Sequence, residues 1–378
     1  MSQRFPFVLS LAIVALLAGC SPVTPEPAPS ASSTAGETVV ETAAAAPSPL
    51  VEATCDELAP LEVVQAALAP DVVPREQPPR AYSPAFPLFQ VAVAQLGGRE
   101  CLWANGDPED YAEDSRFVRL SVLPGASSAW AASRALLNGI NDDGAIGGGA
   151  AVAFGDESST DCASEDHGYY GTCTFDVLVG EYWLAFEITG VPIEGTGNRA
   201  DVLVSHVAAS VAALAAPAAS WPLPAGAYLA PDTCDGLIPL ADVRTQVGVS
   251  ELVEDFGQQW SAGVLFDAAF ARAEGLHCNW NTPADWVDPT PAGRYVAYVE
   301  LTILPGSAWY LDGLTEPPHQ TSVALAPVAG VGDAAWGGCN STYAECSLHV
   351  LVDNSWLVFA SSNGGLPAVT ALAQALLS

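Results

Sequence analysis

Apolar and polar residues alternate in two distant stretches that share one pattern. Val118, Leu120 and Val122 alternate with Arg119 and Ser121, and Val299, Leu301 and Ile303 alternate with Glu300 and Thr302. A period of two marks a strand with one face in a core. Residues 174–188 read as a hairpin. Phe175, Val177 and Val179 share a face, Leu184, Phe186 and Ile188 return along it, and Gly180-Glu181 turns between them. The second stretch places Asp353-Asn354 at that turn, residues that tolerate tight hairpin dihedrals. Helical spacing appears beside both stretches. Leu203, Val207, Val211 and Leu214 form one stripe, and Pro367 opens a shorter helix running to Leu377. Pro60 and Pro239 are placed for the first turn of two further helices, the first running through Leu68. The prediction is an α+β fold, an antiparallel sheet with helices at its ends, occurring twice.

The duplication is written in the residues themselves. Thr54-Cys55-Asp56-x-Leu58-x-Pro60-Leu61 recurs as Thr233-Cys234-Asp235-x-Leu237-x-Pro239-Leu240, and Cys101-x-Trp103 recurs as Cys278-x-Trp280. Leu120 to Gly125 returns as Leu301 to Gly306, Gly155-Asp156 as Gly332-Asp333, and Cys173 with Trp183 as Cys346 with Trp356. The order is kept, and each counterpart lies 173 to 181 residues further on. The two copies are read as 51–216 and 230–378, joined by a Pro/Ala-rich linker at 217–229.

The N-terminus reads as an address. Arg4 gives a short positive region, and Phe7 to Leu17 is an apolar run, short against the about 20 residues of a bilayer crossing. Leu17-Ala18-Gly19-Cys20 follows and resembles the lipobox of bacterial lipoproteins. That resemblance implies that residues 1–19 are a signal peptide and that Cys20 becomes an acylated N-terminus carrying diacylglycerol and palmitate-type chains. Two chains anchor stably where one does not, at about 0.8 kcal/mol per buried CH₂. Residues 20–50 are rich in Pro, Ser, Thr, Ala and Glu and read as a disordered tether. The expected location is the extracytoplasmic face of the cell membrane, with the membrane as a partner through the lipid.

Charge narrows the partners further. The 378 residues carry 43 Asp+Glu against 11 Lys+Arg, a net charge of −32, and every basic residue is Arg. Phosphate recognition rests on clustered Lys and Arg, so nucleic acid is excluded, as is electrostatic docking on anionic headgroups. Nine Cys less Cys20 leave four in each copy. Outside the cytoplasm such sets read as disulfides, and confinement to one copy leaves three pairings for each. Of these we take Cys55–Cys101 with Cys162–Cys173, and Cys234–Cys278 with Cys339–Cys346. Chain entropy assigns about 3 kcal/mol to a short loop and about 4 kcal/mol to one of roughly 45 residues.

The early Cys opening a helix, the Cys-x-Trp strand and the later Cys pair resemble the secreted lipoprotein domains of unknown function of actinobacteria. They are also similar to the extracellular sensor domain of mycobacterial Ser/Thr kinases. The resemblance implies a disulfide-stapled α+β domain at the cell surface that binds a ligand or partner, in families with no established catalysis. This chain departs from the kinases by carrying two copies and no kinase.

Candidate chemistry is sparse. No Gly-x-Ser-x-Gly elbow, His-Glu-x-x-His helix or phosphate-binding glycine loop occurs in the sequence. His349 aligns with Asp176 on the polar side of the hairpin and is expected to be solvated, and His206 lies at the edge of a helical apolar stripe. Asp161, Asp166 and His167 surround Cys162, an arrangement that a disulfide at Cys162 disables. Asp107, Glu109, Asp110, Glu113 and Asp114 form the densest carboxylate cluster, a weak calcium candidate that fits no EF-hand spacing. Trp103/Trp280 and Trp183/Trp356 are shared and expected in the core. Trp260, Trp286 and Trp336 are unshared and expected in loops, and Tyr169 and Tyr170 lie between two Cys. These five are the candidate contact residues for an unknown surface protein or small ligand. The reading is a non-enzymatic binding lipoprotein without cofactor. The alternatives are an extracytoplasmic hydrolase with a site assembled from distant residues, and a structural envelope or assembly factor.

Overall fold

Every period-two stretch of the sequence is a strand in the computed structural model. It describes residues 46–76, 86–106, 115–133, 154–163, 172–190, 199–254, 263–283, 297–312, 323–340 and 345–378. The elements of the first half are α1 (Cys55–Leu58), α2 (Leu61–Ala67), β1 (Val73–Arg75), α3 (Phe86–Gln95), β2 (Arg99–Ala104), β3 (Phe117–Leu123), β4 (Glu157–Ala163), β5 (Thr172–Val179), β6 (Tyr182–Thr189) and α4 (Arg199–Ala212). The second half has α5 (Cys234–Leu237), α6 (Leu240–Val247), β7 (Val253–Glu254), α7 (Val264–Arg272), β8 (Leu276–Asn281), β9 (Tyr298–Leu304), α8 (Ala308–Asp312), β10 (Ala326–Pro327), β11 (Ala334–Asn340), β12 (Glu345–Val352), β13 (Ser355–Ser361) and α9 (Gly365–Leu376). Ala43–Ser378 is one compact unit.

The first sheet runs β1-β2-β3-β6-β5-β4 and the second β7-β8-β9-β13-β12-β11-β10, antiparallel at every pairing. Six strands follow the same order in both, and the second sheet adds β10 at its edge. The fold is α+β with two antiparallel sheets. One face of the first sheet, with Trp103, Leu120, Phe175 and Phe186, packs against Val64, Leu203 and Val207 of α2 and α4. The same face of the second, with Trp280, Leu301, Leu348 and Phe359, packs against Val243, Val369 and Leu372 of α6 and α9.

Shared motifs have local causes. Thr54 and Glu57 form a reciprocal capping box at α1, in which the Glu57 carboxylate accepts from the Thr54 amide at 2.8 Å. Gly155 and Gly332 have φ of +58° and +55°, and a Cβ there would lie 2.2 and 2.4 Å from the carbonyls of Leu178 and Leu351. Each following Asp accepts from the hairpin turn, Asp156 from the Gly180 amide at 2.7 Å and Asp333 from the Asp353 amide at 3.1 Å. The Gly-Asp motif therefore ties the hairpin turn to the strand before it. Asp353 and Asn354 adopt φ of +46° and +58°, as a tight turn requires.

All four expected disulfides are present. Cys162 faces Cys173 across β4–β5 and Cys339 faces Cys346 across β11–β12, with Cα atoms 4.1 and 4.0 Å apart. The longer pairs fasten α1 to β2 and α5 to β8, each with Cα atoms 5.7 Å apart. Residues 217–229 form no helix or strand, yet they are held. The Tyr228 amide donates to the Asp353 carbonyl at 3.0 Å, and Pro224 lies against Gly306.

A third core joins the halves and was not foreseen. It contains Leu88, Phe89 and Val93 of α3, Phe266 and Phe270 of α7, Leu123 and Leu304, and Trp183 and Trp356 from the second face of each sheet. Phe89 and Phe270 stack at 4.3 Å. Gln95 donates to the Pro305 carbonyl at 2.8 Å and Arg272 to the Pro124 carbonyl at 2.9 Å, the end of each helix meeting the other half's Leu-Pro-Gly corner. The contact is reciprocal, as in a two-fold interface. α3 was invisible to periodicity because nearly every residue in it is buried, which leaves no stripe to read.

Candidate functional site

The second faces of the two sheets hold the side chains that depart most from the sequence reading. Trp183 on β6 and Trp356 on β13 are fully buried there, as expected of shared tryptophans. Each indole needs an acceptor for its N–H, and each finds one on the neighbouring strand. Trp183 donates to Asp176 Oδ1 at 2.8 Å, and Trp356 donates to His349 Nδ1 at 3.2 Å. His349 is fully buried, which corrects the expected solvated position. The polar side of the hairpin faces the third core, so alternation there does not mean water.

Burial sets the protonation of these groups. Desolvation pushes the Asp176 carboxyl up to about 6, with the Trp183 hydrogen bond pulling the other way. Desolvation pushes the His349 imidazole down to about 3. His349 is therefore neutral, and because Nδ1 accepts from Trp356 the proton sits on Nε2. His277 on β8 is likewise held down at about 4 by burial; its Nδ1 lies 2.8 Å from the Thr302 hydroxyl and its ring meets Phe89 edge-on.

Other buried polar groups bond within their own sheet. The Arg119 guanidinium, 2% exposed, lies 3.2 Å from Glu187 and over the Phe117 ring. Tyr298 donates to the Glu345 carboxylate; burial first, then that carboxylate, raises its hydroxyl pKa. Cys162 is in a disulfide and offers no thiolate. Among the described residues no three metal-ligating side chains come together.

The aromatic residues differ between the halves. In the first, Trp130 packs edge-on against Trp183 at 5.1 Å and donates its N–H to Glu157 at 2.9 Å. In the second, Tyr310 stacks on Trp356 at 5.8 Å and Trp309 meets Tyr310 edge-on at 5.7 Å. Trp336 lies on strand β11 opposite His349, half-buried against the third core, not in a loop as expected. Trp309, Tyr310, Trp356 and His349 thus form a run of ring contacts, with Trp336 beside it. The first half has Ser159 at the position of Trp336, and Ser128 where the repeated motif places Trp309.

The other candidate residues Trp260, Trp286, Tyr169, Tyr170 and Cys20, and the acidic loop Asp107, Glu109, Asp110, Glu113 and Asp114, lie outside the described residues. Sequence reasoning missed Trp309 and Tyr310, although the rule that singled out Trp336 applies to them. They follow the Leu-Pro-Gly repeat at positions where the first copy has small residues. No family model, no curated protein and no solved structure matches this chain. Of the aromatic side chains on this face, Trp309, Tyr310 and Trp336 are half-buried, and Trp183, Trp356 and His349 are fully buried.

Proposed function

We propose that the protein is a lipid-anchored lipoprotein of the extracytoplasmic membrane face, built from two tandem copies of one α+β domain, and that it binds a ligand or partner without catalysis. The observation that carries the reading is the fate of the cysteines. Eight of nine close into four pairs, and the one outside them is Cys20, directly after Leu-Ala-Gly. Stapled sheets suit an oxidising compartment. A lipobox-type cysteine suits an anchor, and the net charge of −32 sets aside nucleic acid and anionic surfaces. None of the described helices is long and apolar enough to cross a membrane.

The test has two readings on intact cells. Cys20→Ser should move the protein out of the washed membrane fraction or block its maturation; a variant that still fractionates with membranes rejects the anchor. Crosslinking of the full-length protein on the cell surface should give discrete adducts. Their absence rejects a partner protein and leaves a small ligand.

A further inference from the structure

The four disulfides differ in what surrounds their sulfurs. Cys55–Cys101, Cys162–Cys173 and Cys234–Cys278 join residues that are all buried or half-buried. In the fourth, Cys339 is exposed near the end of β11, while Cys346 is 3% exposed in the core beneath α9. Cys346 also sits at the start of a helix. A Cβ at Gly365, the first residue of α9, would lie 4.0 Å from Cys346 Sγ. α9 is 12 residues long, and its N-cap Gly364 has no side chain to occupy the first-turn N–H groups. Those N–H groups and the helix dipole stabilise a thiolate. α9 follows closely on β13, which ends at Ser361, whereas α4 begins at Arg199, well beyond the end of β6 at Thr189. The bond also closes the shortest loop of the four, its cysteines 7 residues apart. β11 and β12 are paired from Ala334–Leu351 to Asn340–Glu345, so the hairpin holds without it, and a short closure contributes least through chain entropy.

We infer that Cys339–Cys346 is a thiol-exchange site, opened by a neutral thiol while the other three disulfides stay closed. The attacking thiolate forms a bond to the Cys339 sulfur, the one on the solvent side. The Cys339–Cys346 bond breaks, and its electron pair leaves on Cys346 as a thiolate at the start of α9. A lowered thiol pKa makes a faster leaving group. A monothiol stops at this stage, as a mixed disulfide on Cys339. A dithiol goes further. Its second thiolate attacks the mixed disulfide, the dithiol is oxidised to its own disulfide, and Cys339 and Cys346 end as two thiols that take back their protons from water. The chain charge of −32 repels anionic thiols, which favours a neutral one. The exchange stands apart from the lipid anchor and from any partner, so its failure leaves both readings in place.

The test uses the folded full chain carrying Cys20→Ser, in which every remaining cysteine is paired. It is exposed at low salt to 2-mercaptoethanol, mercaptoacetate or dithiothreitol, the first two compared at equal thiolate concentration. Freed thiols are trapped with N-ethylmaleimide and located by peptide mass mapping over time. Cys339–Cys346 should open at least about tenfold faster than the next pair. With 2-mercaptoethanol the adduct should lie on Cys339 and the maleimide on Cys346, and mercaptoacetate should react more slowly. After dithiothreitol has opened this pair, circular dichroism should remain that of the folded protein. In denaturant, where neither exposure nor α9 distinguishes the pairs, the preference should disappear. The proposal is overturned by another pair opening first, by the adduct on Cys346, by mercaptoacetate reacting as fast as 2-mercaptoethanol, by no pair opening before the chain unfolds, or by the same preference in denaturant.

Discussion

Asp176 and His349 occupy the same place in two sheets of the same strand order, and each accepts from the tryptophan at the corresponding position of the next strand, Trp183 or Trp356. One is an acid held at about 6 and the other a base held at about 3. The fold asks only for an acceptor beside the buried indole, and either side chain supplies one. Their pH dependences are opposite. An acid raised above its unfolded value of about 3.8 contributes stability below that pH and loses it as pH rises through about 6. A base lowered from about 6.5 contributes above that pH and loses it as pH falls toward its folded value. His277, held at about 4, acts in the same direction as His349. Two histidines against one aspartate leave these three groups favouring the neutral side of the range from pH 4 to 6.5.

The largest expected effect tests what the halves share. Phe89→Ala and Phe270→Ala remove either ring of the stacked pair in the third core, and each should cost about 3–5 kcal/mol in chemical denaturation with the disulfides intact. The double variant should cost less than the sum, because the two rings contact each other. Full additivity would mean that the halves are not coupled through this stack.

The next separates the halves. Trp183→Phe and Trp356→Phe lose the same ring volume. The first also strips a buried carboxylate of its donor, at about 1.5–3 kcal/mol, and the second strips a neutral imidazole, at about 1 kcal/mol. Equal costs in denaturant titrations at pH 7 would remove the distinction drawn between the two acceptors.

The smallest effect is the most specific to the comparison. Asp176→Asn keeps the acceptor and removes the charge. It should raise stability at pH 7 by about 1–3 kcal/mol, a gain that shrinks as pH falls from 6 and vanishes near 4. Thermal unfolding across pH 4 to 7 measures it, and a gain independent of pH would contradict the assignment.

Much of the fold was legible before the structure because it is local or covalent. Val118 to Val122, Val299 to Ile303 and the 174–188 hairpin carried the period of two, and Asp353-Asn354 marked their own turn. The repeat located the cysteines well enough to choose the pairs. The candidate site was less legible. Trp336 was singled out, but its strand position was not, and His349 was given to solvent. The alternation was read correctly; what lay over the polar face was not in it.

The amino-acid sequence by itself determined the period-two strands, the hairpin turns, the terminal helices and the matched placing of the cysteines. Each depends on residues near one another along the chain or on a bond of fixed reach. Only the tertiary structure decided the fate of the second faces. Whether Asp176, His349 and Trp336 meet water or protein depends on α3, α7 and the opposite sheet. The surface of α3, apolar but for Gln90 and Gln95, names no partner until the other half, some 180 residues away, comes to cover it.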